Sequence, residues 1–183
     1  MNIYFLFQLF VVNLVNKIWW YVFMKNIIIV DMQKGFINKN NKHLVNKINN
    51  YLNESKFNNI FYTKFYNNDN SPFFNILKWN GMMSLEDLEF VVKINPMCEI
   101  LEKNTYGLNM EQINFLKELN INEVEICGTD TDACVLTIAY QLFDNNIKPI
   151  ILSDLCASSS KDKNIHYNAL QIMRRSFGND CIK

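Results

Sequence analysis

From Met24 onward, short apolar runs alternate with segments whose apolar residues recur at the three-to-four-residue spacing of a helix. The runs NIIIVD ending at Asp31, NNIFYTKF from Asn58, CEILEK ending at Lys103, VEICG ending at Gly128 and KPIILSD ending at Asp154 are rich in β-branched or aromatic residues. They read as strands. Leu44, Val45, Ile48, Tyr51 and Leu52 make one helical face, and Val135, Ile138, Ala139, Leu142 and Phe143 make another. Past Lys161 a helix through Ala169, Leu170 and Met173 leads to a last strand at CIK, and the less regular stretch from Asn67 to Asn95 predicts a short helix and a loop over the site. Such alternation predicts an α/β fold, a parallel sheet with helices on both faces. Ligands of such sheets bind beyond the carboxyl ends of the strands, so reactive residues belong just after apolar runs. Asp31, Lys103 and Cys134 stand there.

The first 23 residues, MNIYFLFQLFVVNLVNKIWWYVF, are apolar enough to raise a membrane question, but Asn13, Asn16 and Lys17 interrupt them. They lack a basic start and a small-residue cleavage site, so a cleaved signal peptide is not expected. Three readings stand: an extension outside the fold, preferred because MKNIIIVDMQ reads as an ordinary start into a strand; a membrane anchor; or an added packing helix. Residues 24–183 then form one domain, consistent with 183 residues that are 49% hydrophobic. A formal net charge of zero gives no surplus to attract nucleic acid. Five cysteines, odd in number and without a C-x-x-C pair, suit a reducing cytoplasm better than a disulfide framework.

GTDTDACVLTIAY puts Cys134 among aspartates and threonines in the first turn of a helix, where unpaired N–H groups and a partial positive charge favour a thiolate. A nearby lysine would add to that, and a carboxylate would accept the thiol proton. Asp31, Lys103 and Cys134 thus make a consistent base, electrostatic partner and nucleophile, with N–H groups from Thr131 to Cys134 available to an oxyanion. Each residue has a plain reading too: Cys134 as a small packing residue, Asp31 as a turn cap, Lys103 as a solvated lysine, Asp130 and Asp132 as helix-start residues. Cys127 and Cys156, in apolar strands, read as core.

IIIVDMQKGFI, the lysine of LEKNTYG, and GTDTDACVLTIAYQLFDNNIKPIILSDLCAS, in that order, resemble the isochorismatase-like cysteine hydrolases, a superfamily that includes nicotinamidases. The resemblance runs from about Met24 to the end of the chain. It implies a three-layer α/β/α fold around a six-stranded parallel sheet in the order 3-2-1-4-5-6. It also implies an Asp31-Lys103-Cys134 triad, a cis peptide between Asp130 and Thr131 at the oxyanion hole, and frequent assembly into homo-oligomers. Zinc-containing nicotinamidases carry an aspartate and two histidines after the second strand; here YTKFYNNDNSPFFNILKW has Asp69 but no histidine. His43 and His166 are the chain's two histidines and lie elsewhere, so neither a metal nor another cofactor is expected. Lys103 is followed by NTYGLN, where the family has a small residue and phenylalanine. True isochorismatases lack the cysteine.

The expected activity is hydrolysis of a small amide or related acyl compound through a thioester on Cys134, with Phe36, Phe65, Trp79 and Tyr106 as pocket walls. The rivals are a non-catalytic member binding a metabolite or partner through the same crevice, and a divergent nicotinamidase. A haloacid dehalogenase-type phosphatase is excluded by Gln33, where a second aspartate is needed, and a dinucleotide site by the lack of G-x-G-x-x-G after the first strand.

Overall fold

The computed structural model describes residues 24–183. The expectations for residues 1–23 lie outside them. Five strands pair in parallel in the order β3-β2-β1-β4-β5: β1 (Lys25–Val30), β2 (Phe57–Phe65), β3 (Glu99–Lys103), β4 (Glu123–Thr129) and β5 (Lys148–Ala157). The helices are α1 (Leu44–Glu54), α2 (Pro72–Asn75), α3 (Met110–Glu118), α4 (Leu136–Asp144) and α5 (Lys163–Phe177).

The period-2 geometry of β1 shows why both faces of the sheet are covered. Ile27 and Ile29 face one way and pack with Leu44 and Ile48 of α1. Ile28 and Val30 face the other and pack with Ile113 of α3, Ile138 and Leu142 of α4, and Met173 of α5. All four β1 residues are buried, which is why the run is continuously apolar instead of alternating. The result is a three-layer α/β/α fold.

Helix ends follow local chemistry. Asn109 and Gln112 form a reciprocal capping box on α3, Asp162 accepts from the N–H of Asn164 at the start of α5, and Ser71 accepts from that of Phe74 ahead of Pro72. The helical faces are as expected except at Phe143, which is 48% exposed near the end of α4 beside Phe177, with ring centroids 5.0 Å apart.

Two strand expectations need correction. β5 runs three residues beyond Asp154, and its pairing with β4 shifts between Ile126 and Gly128. The sixth strand is not formed among the described residues. Asn179–Cys181 is a 3-10 turn, and the two residues after it make one parallel bridge, Ile182 to Ile151, with Lys183 bonded to Ile151 and Ser153. Two residues are too few to build a ladder.

The chain builds outward from β1 to β2 and β3 on one side and to β4 and β5 on the other. The crevice where strand order reverses therefore opens beyond the carboxyl ends of β1 and β4.

Candidate active site

β1 ends in Asp31, which turns the chain with φ +48°, a left-handed conformation that aspartate tolerates better than most residues. Its N–H donates to Thr63 Oγ1 (2.9 Å), and the Thr63 hydroxyl donates to Asp31 Oδ1 (2.5 Å). Beside it, Gly128 of β4 has φ +117°, and a Cβ there would fall 2.2 Å from the Val30 carbonyl oxygen, so only glycine lets the two strand ends approach.

β3 is two strands from β1, a separation of about 9–10 Å at ordinary strand spacing. The four-carbon stem of Lys103 crosses that gap. Its Nζ donates to Asp31 Oδ2 (2.7 Å) and the Thr105 carbonyl (3.1 Å), lies 3.4 Å from Cys134 Sγ, and stands 5.1 Å from the centre of the Phe65 ring. Both side chains of the ion pair are 1% exposed.

Cys134 sits in a five-residue π-helical turn, Thr131–Val135, between β4 and α4. Three candidates from strands far apart in sequence thus converge. The charge state of the sulfur differs from the expectation. Burial pushes the Cys134 thiol well above its ordinary value, Asp31 adds to this through its charge and its hydrogen bond, and Lys103 opposes both. Desolvation and Asp31 together outweigh the lysine, which favours the thiol over the thiolate. Burial would lower Lys103, but the charges of Asp31 and Cys134 outweigh it and raise it above 10.5.

The cis peptide is one residue earlier than expected, between Thr129 and Asp130. The Asp130 carbonyl accepts from the N–H groups of Ala133 and Val135, so the Asp130–Thr131 peptide already belongs to the helical turn. For the same reason the Ala133 N–H is committed, and the N–H groups of Thr131, Asp132 and Cys134 remain as first-turn donors. The Asp130 carboxylate accepts from both the backbone N–H (2.8 Å) and the hydroxyl of Ser159, and from the Thr129 hydroxyl. Burial raises its pKa despite these bonds.

Above the three residues lies a cavity of about 510 Å3. Phe36, Phe65, Trp79 and Tyr106 all line it, together with Phe73 and Leu77, which the sequence reading did not single out. Phe36 stacks on Trp79 at 6.2 Å, and Phe73 meets Tyr106 at 4.8 Å. Thr63 and Gln33 were also missed as supports. The Gln33 side chain donates to the Phe65 carbonyl (2.9 Å) and accepts from its N–H (2.8 Å), fixing that ring beneath the cavity. The available signal was a polar residue inside an otherwise apolar run.

The residues present do not fit a metal. Among the described residues no group of three or more His, Cys, Asp or Glu converges. After β2, Asp69 is exposed, and the Asn67 amide is bonded to the carbonyls of Trp79 and Gly81. His43 is exposed at the head of α1, and His166 lies on α5.

The family model for the isochorismatase domain matches residues 25–181. The chain belongs to the isochorismatase family. No curated protein sequence matches it. Solved structures with the isochorismatase-family fold include a pyrazinamidase of Pyrococcus horikoshii in complex with zinc, at 21% identity and TM-score 0.71 over 87% of this chain and 97% of that one. A nicotinamidase of Staphylococcus aureus aligns at 23% identity and TM-score 0.65, covering 85% and 95% of the two chains. An isochorismatase-like hydrolase of Alkaliphilus metalliredigens aligns at 18% and 0.71, covering 84% and 92%. At these identities the likeness is one of fold, and the chemistry has to be argued from this isochorismatase-family chain's own residues.

Proposed function

We propose that the protein is a metal-independent cysteine hydrolase of a small amide or related acyl compound. The observation that carries this reading is the single lysine nitrogen 2.7 Å from Asp31 Oδ2 and 3.4 Å from Cys134 Sγ, with Asp31 and Cys134 both lining an aromatic cavity. A buried thiol is a poor nucleophile until its proton is removed, and Asp31 is the base beside it. Asp31 takes the Sγ proton as the sulfur attacks the carbonyl carbon. Lys103 keeps the site near neutral as charge moves from carboxylate to sulfur and oxygen. First-turn N–H groups, that of Cys134 foremost, receive the oxyanion at the amino end of the turn. The proton passes from Asp31 to the leaving amine, giving a thioester. Asp31 then deprotonates water, which attacks the thioester, and the acid leaves as Cys134 regains its proton.

The lining favours a compact, flat or apolar acyl group, since the aromatic walls offer faces and edges and no lysine or arginine is among the lining residues described. The five free cysteines fit a reducing cytoplasm. Among the described residues no helix is long and apolar enough to cross a membrane.

The test is ammonia release by purified protein over a panel of small amides that includes nicotinamide and pyrazinamide, with and without chelator. Turnover that survives chelation, disappears in Cys134→Ala and leaves an acyl adduct on Cys134 by mass spectrometry is expected. Turnover retained by Cys134→Ala refutes the covalent route, and loss on chelation refutes metal independence. Binding without adduct or product across the panel points to the non-catalytic rival.

A further inference from the structure

We propose that His166 is a positioning residue for the nucleophile turn, holding Thr131 from α5 and holding it less well when the ring is protonated. This rests on the reading of Cys134 as nucleophile. His166 Nδ1 lies 2.8 Å from Thr131 Oγ1, a contact between residues 35 apart in sequence. Thr131 is fully buried and opens the turn that carries Cys134 three residues later. No other hydrogen bond of the Thr131 hydroxyl is present among the described residues, so the hydroxyl donates to the ring nitrogen and the neutral imidazole is the form that holds it.

The ring's surroundings make it able to change state. Its far side lines a second cavity of about 420 Å3 that shares no lining residue with the substrate cavity. Protons therefore reach it without passing the triad. From the turn it faces Asp132, whose Oδ1 is buried with no hydrogen-bond partner among the described residues. From the head of α1 and the preceding loop it faces His43 and Lys39, from β5 Cys156, and on its own helix end Asp162, Lys163 and Tyr167. Burial lowers its pKa, Asp132 raises it and His43 lowers it, so the ring is neutral at pH 7 and its titration is displaced to the acid side of 6.5. Once protonated, Nδ1 carries a hydrogen and can only donate to Thr131 Oγ1, which leaves the buried hydroxyl hydrogen without its acceptor, and the ring's new charge is drawn to the orphaned Asp132 oxygen.

The experiment is the rate of Cys134 carboxamidomethylation by iodoacetamide, followed by mass spectrometry from pH 5.5 to 8.5. It needs no substrate. His166→Ala is expected to slow it about fivefold at pH 7.5, the fold-change of one lost hydrogen bond. Thr131→Val should slow it similarly, and the double variant should lose no more than either alone. His166→Asn, whose amide reaches the position of Nδ1 but does not titrate, should stay within about twofold of wild type. The ratio of wild-type to Asn-variant rates, in which the titration of Cys134 cancels, should be flat near neutrality and fall in the acid range. If His166→Ala does not fold by circular dichroism, the Thr131→Val rate and the Asn-variant ratio decide. Unchanged rates in folded variants, additive losses or a ratio independent of pH would overturn the role of His166 and leave the hydrolase reading standing. A wild-type Cys134 that no pH makes reactive would overturn both.

Discussion

The sheet carries lysine–carboxylate pairs towards both ends, and two of them, one from each end, are built differently. At the carboxyl end, Lys103 and Asp31 meet at 2.7 Å with both side chains 1% exposed, and the third member is a thiol under a cavity. At the amino end, Lys25 meets Glu125 at 3.0 Å, but the lysine is 46% exposed and the third member is Tyr51. Its hydroxyl accepts from Lys25 (2.8 Å) and donates to Glu125 (2.6 Å). No cavity opens over that cluster among those described. An ion pair on strand ends is therefore not what makes a reactive site. The difference lies in the exclusion of water from both charges, the placement of a thiol against the cation, and a cavity in front of it.

Beyond the loss of turnover expected of Cys134→Ala, the comparison is broken most strongly by removing each lysine. Lys103→Met leaves the Asp31 carboxylate buried with the Thr63 hydroxyl as donor and no cation, and should cost about 3–5 kcal/mol in urea unfolding. Lys25→Met should cost about 1 kcal/mol or less, because half of the lysine is already in water and Tyr51 still donates to Glu125. Equal losses would show that burial is not the distinction. The pH dependence has a definite sign. The folded pKa of Lys103 is raised, so its contribution is fully present below 10.5 and lost as pH climbs through the higher folded value. The wild type should lose stability in strong alkali, and Lys103→Met should lack that component.

A second, smaller effect concerns reactivity. Because burial and Asp31 raise the Cys134 thiol, its alkylation should keep increasing beyond pH 9.0 instead of levelling near the range of an exposed thiol. Lys103→Met removes the influence that opposes them and should slow alkylation at pH 8 by about tenfold, one pKa unit of added difficulty. A rate that is unchanged or faster would remove Lys103 from the electrostatics of the sulfur.

Much of this end of the molecule was legible in the sequence, because it depends on strands, and buried parallel strands announce themselves as apolar runs with reactive residues at their ends. Asp31, Lys103 and Cys134 were readable in that way, whereas the four aromatic residues that line the cavity rested only on the general aromatic character of small-molecule pockets. What escaped depends on turns and on side chains meeting across elements. The cis peptide lies one residue earlier than expected because the Asp130 carbonyl already accepts the first helical bonds, a detail invisible in GTDTDA. The terminal strand reduces to one bridge among the described residues because Asn179–Cys181 folds as a 3-10 turn instead of extending. The helix end beside Cys134 is apparent in the sequence, whereas the desolvation that raises its thiol is a property of the packed state. Thr63, Gln33 and His166 act through partners 32 to 35 residues away, so their own neighbourhoods carry little sign of it.

The mildest test of the comparison is Tyr51→Phe. Tyr51 lies between the two charges of the amino-end cluster, and its own pKa is raised, chiefly by burial and by the bond to Glu125. Removing the hydroxyl deletes one donor to Glu125 Oε2 but leaves Lys25 within 3.0 Å of Oε1 and over the ring, 5.3 Å from its centre. Glu125 is 3% exposed, so the lost bond is not fully replaced by water, and a cost of about 1 kcal/mol in urea unfolding is expected. Alkylation of Cys134 should not change, because the cluster is at the opposite end of β1 and β4 from the crevice. A loss of 3 kcal/mol or more would mean that the amino-end cluster is as dependent on each partner as the buried triad. A change in Cys134 reactivity would mean that the two ends of the sheet are mechanically coupled through β1.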